Sequence, residues 1–135
     1  MNSIPVWLPG CGPATSKRPL ASNKQPLLPP DAMYRYTVRC QFTGDDPEVA
    51  RRWLCWLTET HIADVMQAGA SGAEIVQMGE QSGAWEIRYR FADREAFQRY
   101  LEQHADDLRA DGASRFPVES GLHYSRTHGQ VVYRA

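Results

Sequence analysis

Two histidines have the spacing of residues that could take part in acid–base chemistry. His61 lies four residues after Leu57 and four before Val65, so it shares a helical stripe with apolar side chains and should face the interior. A half-buried imidazole beside a cleft can serve as a general base or as a ligand contact, and Asp64 on the next turn could orient it. The simpler alternative is a structural histidine bonded to a backbone carbonyl or a tyrosine.

His104 occupies the corresponding position on a second predicted helix, between Tyr100 and Leu108. Two inward histidines raise the question of a shared metal ion. We expect antiparallel helices, however, which would separate the two rings along the axis by on the order of 10 Å at 1.5 Å per residue. His61 also lacks a Glu-x-x-His companion and a nearby cysteine ligand. The sequence therefore predicts no metal site and no cofactor.

Aromatic residues form the rest of the candidate site. Tyrosines and tryptophans at strand and helix spacing are most often core residues, but together with histidines they would also suit a planar organic ligand. Stacking would give affinity, and the polar tips would give orientation. The candidate ligand-binding residues are His61, Trp53, Tyr89, Tyr100 and His104, and the candidate catalytic residues are His61, His104 and Tyr89.

The elements that must position these side chains can be predicted from residue periodicity. Residues 34–42 alternate between apolar and polar and predict a half-buried strand. Asp46 and Pro47 favour the start of a helix that runs to about Gln67 or Ala68 and stops at Gly69. The first inward histidine lies on this helix.

The remaining elements complete a βαββαβ order. Residues 71–80 and 84–91 predict two strands joined by a tight connection at 81–83. Asp93 caps a second helix that lasts until Gly112, and residues 122–133 furnish a fourth strand. The sequence thus predicts an α+β, ferredoxin-like fold, in which a four-stranded antiparallel sheet carries both helices on one face.

The opposite face of the predicted sheet is strongly charged. A solvated surface is one interpretation, and a homodimer interface that pairs arginine with glutamate across a symmetry axis is the other. The residues that this face should carry are Arg35, Arg39, Glu86, Arg88 and Arg90.

Composition narrows the classes of partner and the organisation of the chain. Fifteen Lys and Arg residues against 16 Asp and Glu residues give a formal net charge of -1, so we expect no nucleic-acid partner, and we expect no membrane partner. Residues 1–32 hold seven of the nine prolines and predict a disordered leader or an over-extended start, followed by one domain over 33–135. Three cysteines without a C-x-x-C pair favour buried thiols at Cys40 and Cys55 and a cytoplasmic location.

Several segments together resemble one family. They are residues 53–57, 61–65 with Gly69, Tyr89, 100–105, 108–109 with Gly112, and 115–116. This set resembles the small bacterial proteins of the domain of unknown function 4286 family, over residues 33 to about 128. The resemblance implies a dimeric α+β barrel, a superfamily that includes small monooxygenases, isomerases and haem-dependent enzymes. It implies no established activity.

Three hypotheses of function follow. The first is a homodimer that binds a small organic molecule between its helices and sheet. The second is a cofactor-free monooxygenase or isomerase, with His61 as base and Tyr89 or His104 orienting the substrate. The third is a structural or regulatory dimerisation module in which the charged sheet face is the working surface and the helix layer is solid core.

Overall fold

A computed structural model of the chain describes residues 33–79 and 83–135. The predicted leader at 1–32 and most of the predicted connection at 81–83 lie outside the described residues. Four strands form one antiparallel sheet in the order β2-β3-β1-β4. The strands are β1 (Tyr34–Phe42), β2 (Gly72–Met78), β3 (Ala84–Phe91) and β4 (Leu122–Gln130). This arrangement confirms the predicted ferredoxin-like fold.

Along the chain, one helix connects β1 to β2 and the other connects β3 to β4, and each contains a π-helical turn. The first helix is α-helical over Pro47–Trp56, π-helical over Leu57–His61 and α-helical again over Ile62–Gln67. The second helix has the same three parts. They are Arg94–Tyr100, the π-helical turn Leu101–Ala105 and Asp106–Arg115, and a short 3-10 turn follows at Val118–Ser120.

The residues predicted to start the two helices form capping hydrogen bonds there, and Gly69 follows the end of the first helix as predicted. The Asp46 carboxylate accepts a hydrogen bond of 3.0 Å from the backbone N–H of Glu48, and Asp93 accepts one of 2.8 Å from Ala96. Gly69 follows the first helix with φ 133, a conformation that side chains with a Cβ rarely adopt. The second helix continues past the predicted stop at Gly112 and ends at Arg115.

Strand register gathers the aromatic residues on the face that the helices cover. Tyr36 lies opposite Tyr89, and Cys40 lies opposite Trp85, in the pairing of β1 with β3. These side chains pack against the helices, where Trp53 and Phe97 are fully buried. Alternation therefore gives the sheet one apolar face and one charged face.

The described residues include no helix long and apolar enough to cross a membrane. Cys40 is a free and fully buried thiol, and burial raises its pKa to about 12. Cys55 is disulfide-bonded, so the expectation of a buried thiol holds only at Cys40.

Candidate ligand-binding site

A cavity of about 330 Å³ lies between the two helices and the sheet. Its walls come from the covered face of three strands, from the middle of both helices, and from the turn that leads into β4. The sheet contributes Tyr36, Val38, Ile87, Tyr89, Leu122, Tyr124 and Arg126, and the first helix contributes Trp53, Trp56, Leu57 and His61. The second helix and the turn contribute Tyr100, Leu108, Arg109, Gly112, Ala113, Phe116 and Val118.

His61 is the last residue of the first π-helical turn, and its side chain lines the cavity. The imidazole stacks on the indole of Trp56, with 4.6 Å between ring centroids and 26° between planes. Its Nδ1 atom is buried and has no hydrogen-bond partner among the described residues. Burial lowers the pKa of His61, although Asp64 and Asp111 oppose that shift. The ring is therefore a neutral base at neutral pH.

Two tyrosines on the cavity wall keep their protons. Burial raises the pKa of Tyr89 well above its usual range and raises the pKa of Tyr100 to about 12. Both hydroxyl groups can thus donate and accept hydrogen bonds near neutral pH, but neither can act as a phenolate. Of His61 and Tyr89, only His61 can therefore act as a base near neutral pH.

Arg109 and Trp56 bring further nitrogen donors to the cavity. Arg109 donates a hydrogen bond of 3.2 Å from Nη2 to the hydroxyl of Tyr36, while its Nε atom is buried without a partner. The Nε1 atom of Trp56 is also buried without a partner. Gly112 makes room for this indole, because a Cβ at that position would lie 3.1 Å from the Cη2 atom of Trp56.

Trp53 forms a fixed part of the wall. Its indole is fully buried, and its Nε1 donates a hydrogen bond of 3.0 Å to the hydroxyl of Tyr124. Burial raises the pKa of Tyr124 to about 12, so this hydroxyl also stays protonated. Trp53 thus supplies apolar surface and has no free polar atom to offer a ligand.

The prediction that His104 faces the interior is wrong. Its side chain is exposed and does not line the cavity, so the structure does not bring the two histidines together. The reason is the π-helical turn Leu101–Ala105, whose wider spacing makes Ala105 rather than His104 the next buried residue after Tyr100. The position equivalent to His61 in the second helix is therefore occupied by Ala105.

Two arginines line the cavity although the sequence did not predict them there. Arg126 lies opposite Val38 in the register of β1 with β4, which places it on the covered face of the sheet. Arg109 follows the second π-helical turn, so its direction depends on that turn. The alternation within β4 could have indicated Arg126, but nothing in the helical pattern indicates the extra residue that turns Arg109 inward.

The predicted interface residues lie together on the uncovered face of the sheet. Glu86 accepts hydrogen bonds of 3.2 Å from Arg39 and 2.8 Å from Arg88. These contacts, that of Arg88 first, lower the pKa of Glu86. Arg35 lies opposite Arg90 on the same face. Whether this surface meets a second chain stays a prediction.

No group of three or more histidine, cysteine, aspartate or glutamate side chains suited to a metal ion is found in the part of the chain that the structure describes. The expected absence of a metal and of a cofactor stays a prediction.

Comparison with known proteins gives a family and a fold. The family model described as "Domain of unknown function (DUF4286)" matches residues 33–126, and no curated protein matches the chain. Two dimeric ferredoxin-like proteins from uncultured marine organisms are similar in structure. The first has a TM-score of 0.61 and 11% identity, covering 77% of this chain and 99% of its own. The second has a TM-score of 0.59 and 14% identity, with 76% and 97% covered.

SnoaB, a cofactor-independent oxygenase from Streptomyces nogalater, is also similar in structure. Its TM-score is 0.53 and its identity 15%, over 77% of this chain and 95% of that one. At such low identities these likenesses establish the fold and leave the chemistry open.

Proposed function

Because the chain belongs to the DUF4286 family, which is defined by a domain of unknown function, we propose a function from the geometry of its cavity. The protein is a homodimer that binds a small planar organic molecule between its helices and its sheet. The observation that carries this proposal is a cavity of about 330 Å³ whose wall combines aromatic rings with unpaired polar atoms.

The size and lining of the cavity support a ligand site. Ligand pockets commonly measure about 300 to 1,000 Å³ and join a mostly apolar wall to a few well-placed polar groups. Here the apolar wall includes Tyr36, Trp53 and Ile87, and the polar groups include His61 and Arg109. A flat aromatic body would stack on these rings, and its polar substituents would meet the unpaired nitrogens.

Two observations support the proposal of a homodimer. They are the charged, uncovered face of the sheet and the similarity in fold to two dimeric ferredoxin-like proteins. Contact between two copies would cover the surface that holds Arg39, Glu86 and Arg88. Reversing one charge there, as in Arg39→Glu, would place a like charge beside Glu86. We therefore expect the dissociation constant of the dimer to rise by at least about tenfold. Analytical ultracentrifugation measures this, with Arg51→Glu on the first helix as the control. An unchanged mass at low concentration would contradict an interface at this face.

Native mass spectrometry tests the ligand directly. The full chain, purified from its own host, should give a dimer that carries the extra mass of a small molecule. Val38→Phe, which adds a ring to the cavity wall, should give the dimer without that mass. If both proteins are empty and no aromatic compound raises the Tm of the wild type more than that of Val38→Phe, the proposal is wrong.

A cofactor-free monooxygenase or isomerase is the second candidate, and the neutral imidazole of His61 in the cavity favours it. His61 would remove a proton from an acidic C–H or O–H group of the bound molecule, with Tyr89 orienting it. The resulting anion would react with O₂ in an oxygenase or take the proton back at another atom in an isomerase. Oxygen consumption distinguishes the two, and His61→Gln should abolish either activity while His104→Gln should not.

The third candidate, a structural or regulatory dimerisation module in the cytoplasm, uses the charged sheet face and needs no ligand. It predicts that filling the cavity with Val38→Phe changes nothing that the protein does, whereas Arg39→Glu removes its function. A ligand retained by the wild type alone would favour the first candidate over this one.

A further inference from the structure

Three side chains that line the cavity each carry a buried nitrogen atom without a hydrogen-bond partner among the described residues. Trp56 Nε1 and Arg109 Nε are both buried and without a partner among residues 33–79 and 83–135, and both can only donate. His61 Nδ1 is also buried and unpaired, and its ring stacks on Trp56. Buried donors are almost always paired in folded proteins, so these nitrogens point to an acceptor that the chain does not supply.

Charge on the cavity wall has one sign. Arg109 and Arg126 line the cavity, and no aspartate or glutamate does. Within the described ranges neither arginine forms an ion pair, whereas Arg39 and Arg88 on the outer sheet face are both paired with Glu86. Asp64 and Asp111 act on His61 electrostatically but do not belong to the wall.

The free positive charge is also placed next to aromatic surface. The guanidinium carbon of Arg126 lies 5.4 Å from the ring centroid of Tyr124, and Arg109 contacts the hydroxyl of Tyr36. A ligand that fits both features needs a flat body for the rings and an anionic group for the guanidinium groups.

We infer that the ligand of this cavity is a planar aromatic acid, whose carboxylate accepts hydrogen bonds from the buried N–H groups of Trp56 and Arg109. This inference rests on the proposed function, because it names the class of ligand for the same cavity. Arg126 adds the second positive charge near the carboxylate. Hydrogen bonds from a guanidinium to a carboxylate are charge-assisted and stronger than those to a neutral acceptor, so the acid should be preferred over its neutral amide.

Isothermal titration calorimetry of the full chain with 2-naphthoate and 2-naphthamide tests this inference. The two probes share their ring system and differ in charge. We expect the acid to bind at least about tenfold more tightly than the amide. Arg109→Gln should weaken binding of the acid by at least about tenfold and leave binding of the amide within about twofold, and Trp56→Phe should weaken the acid to a smaller extent.

Two further variants control for structure. Arg126→Gln removes a charge from an exposed side chain without a described ion pair, so it should fold normally and still weaken the acid alone. Arg99→Gln changes an exposed arginine of the second helix away from the cavity and should leave both probes unchanged.

The outcomes separate the inference from the function on which it rests. Equal affinity for acid and amide, unchanged in Arg109→Gln and Arg126→Gln but lost in Val38→Phe, would overturn the inference and leave the cavity as a binding site for neutral molecules. If neither probe binds the wild type, the inference is wrong, and so is the proposal that the cavity binds planar aromatic molecules.

Discussion

The layer between helices and sheet has two halves that are built from the same kinds of residue and packed differently. In the closed half, Phe97 contacts four aromatic rings at centroid distances of 5.0 to 5.3 Å, those of Tyr34, Tyr36, Phe91 and His128. In the open half, the Trp56 and His61 rings stack on each other and border the cavity. Aromatic content alone therefore does not indicate where a void lies.

Polar atoms distinguish the halves more clearly than rings do. In the closed half the hydroxyl of Tyr34 lies 2.9 Å from Nδ1 of His128, so both polar tips are paired. In the open half the corresponding atoms of His61 and Trp56 are buried and unpaired. A void surrounded by unpaired polar atoms has the properties of a binding site, whereas a void surrounded by apolar atoms alone would be a packing defect.

The largest expected effect is a difference in stability between the halves. Phe97→Ala removes a fully buried ring from close packing and should lower the free energy of unfolding by about 3 to 5 kcal/mol. Leu108→Ala removes a partly buried side chain that already borders the cavity, so it should cost about 2 kcal/mol or less. Urea unfolding measures both values. Equal losses would mean that the open half is as tightly packed as the closed half.

Adding volume to a side chain should also cost more stability in the closed half than in the open half. Val38→Phe extends into the cavity and should change the free energy of unfolding by less than about 1 kcal/mol, because space is already available. Ala96→Leu adds atoms beside Phe97 in the closed half and should destabilise by about 1 to 3 kcal/mol. Thermal and urea unfolding of the two variants provide the comparison. A large loss in Val38→Phe would contradict the cavity.

The smallest expected effect is the contribution of His61 to the pH dependence of the free energy of unfolding. Burial lowers the pKa of His61 below its ordinary value of 6.5, so the unfolded chain binds this proton more tightly than the folded chain. The contribution of His61 to stability is full above pH 6.5 and is lost as the pH falls through its lower pKa in the folded state. His61→Gln should therefore flatten the loss of stability below pH 6.5, measured by urea unfolding across that range.

The exposed histidine of the second helix supplies the control for that profile. His104→Gln should leave the pH dependence of stability as it is in the wild type, because this side chain faces solvent. If His104→Gln flattened the profile as much as His61→Gln does, the assignment of His61 to the cavity would be wrong.

Much of the fold could be predicted from local patterns, because those patterns have local causes. Alternation in residues 34–42 fixed the covered face of β1, and Asp46, Asp93 and Gly69 marked helix ends through capping and backbone conformation. The fourth strand was predicted to reach Tyr133 and ends at Gln130, because its partner β1 begins at Tyr34. Beyond that point Val131 donates one backbone hydrogen bond to Met33, and Val132 and Tyr133 are exposed. Pairing, rather than composition, decides where a strand ends.

The candidate site was predicted less completely, because its geometry depends on the π-helical turns. His61, Trp53, Tyr89 and Tyr100 line the cavity as their spacing indicated, but His104 does not. One extra residue per turn shifts every later position of the helix, and regular spacing contains no sign of it. The π-helical turn of the second helix is also the reason that Arg109 lines the cavity and His104 does not.

Titration of the full chain with 2-naphthoate, followed by nuclear magnetic resonance of the imidazole and indole N–H groups, shows whether an aromatic acid enters the cavity. We expect the signals of His61 and Trp56 to move along one saturating curve, while those of His104 and Trp85 stay in place. Signals of His61 and Trp56 that remain still up to the solubility limit of the probe, or shifts of equal size at His104, would contradict this expectation.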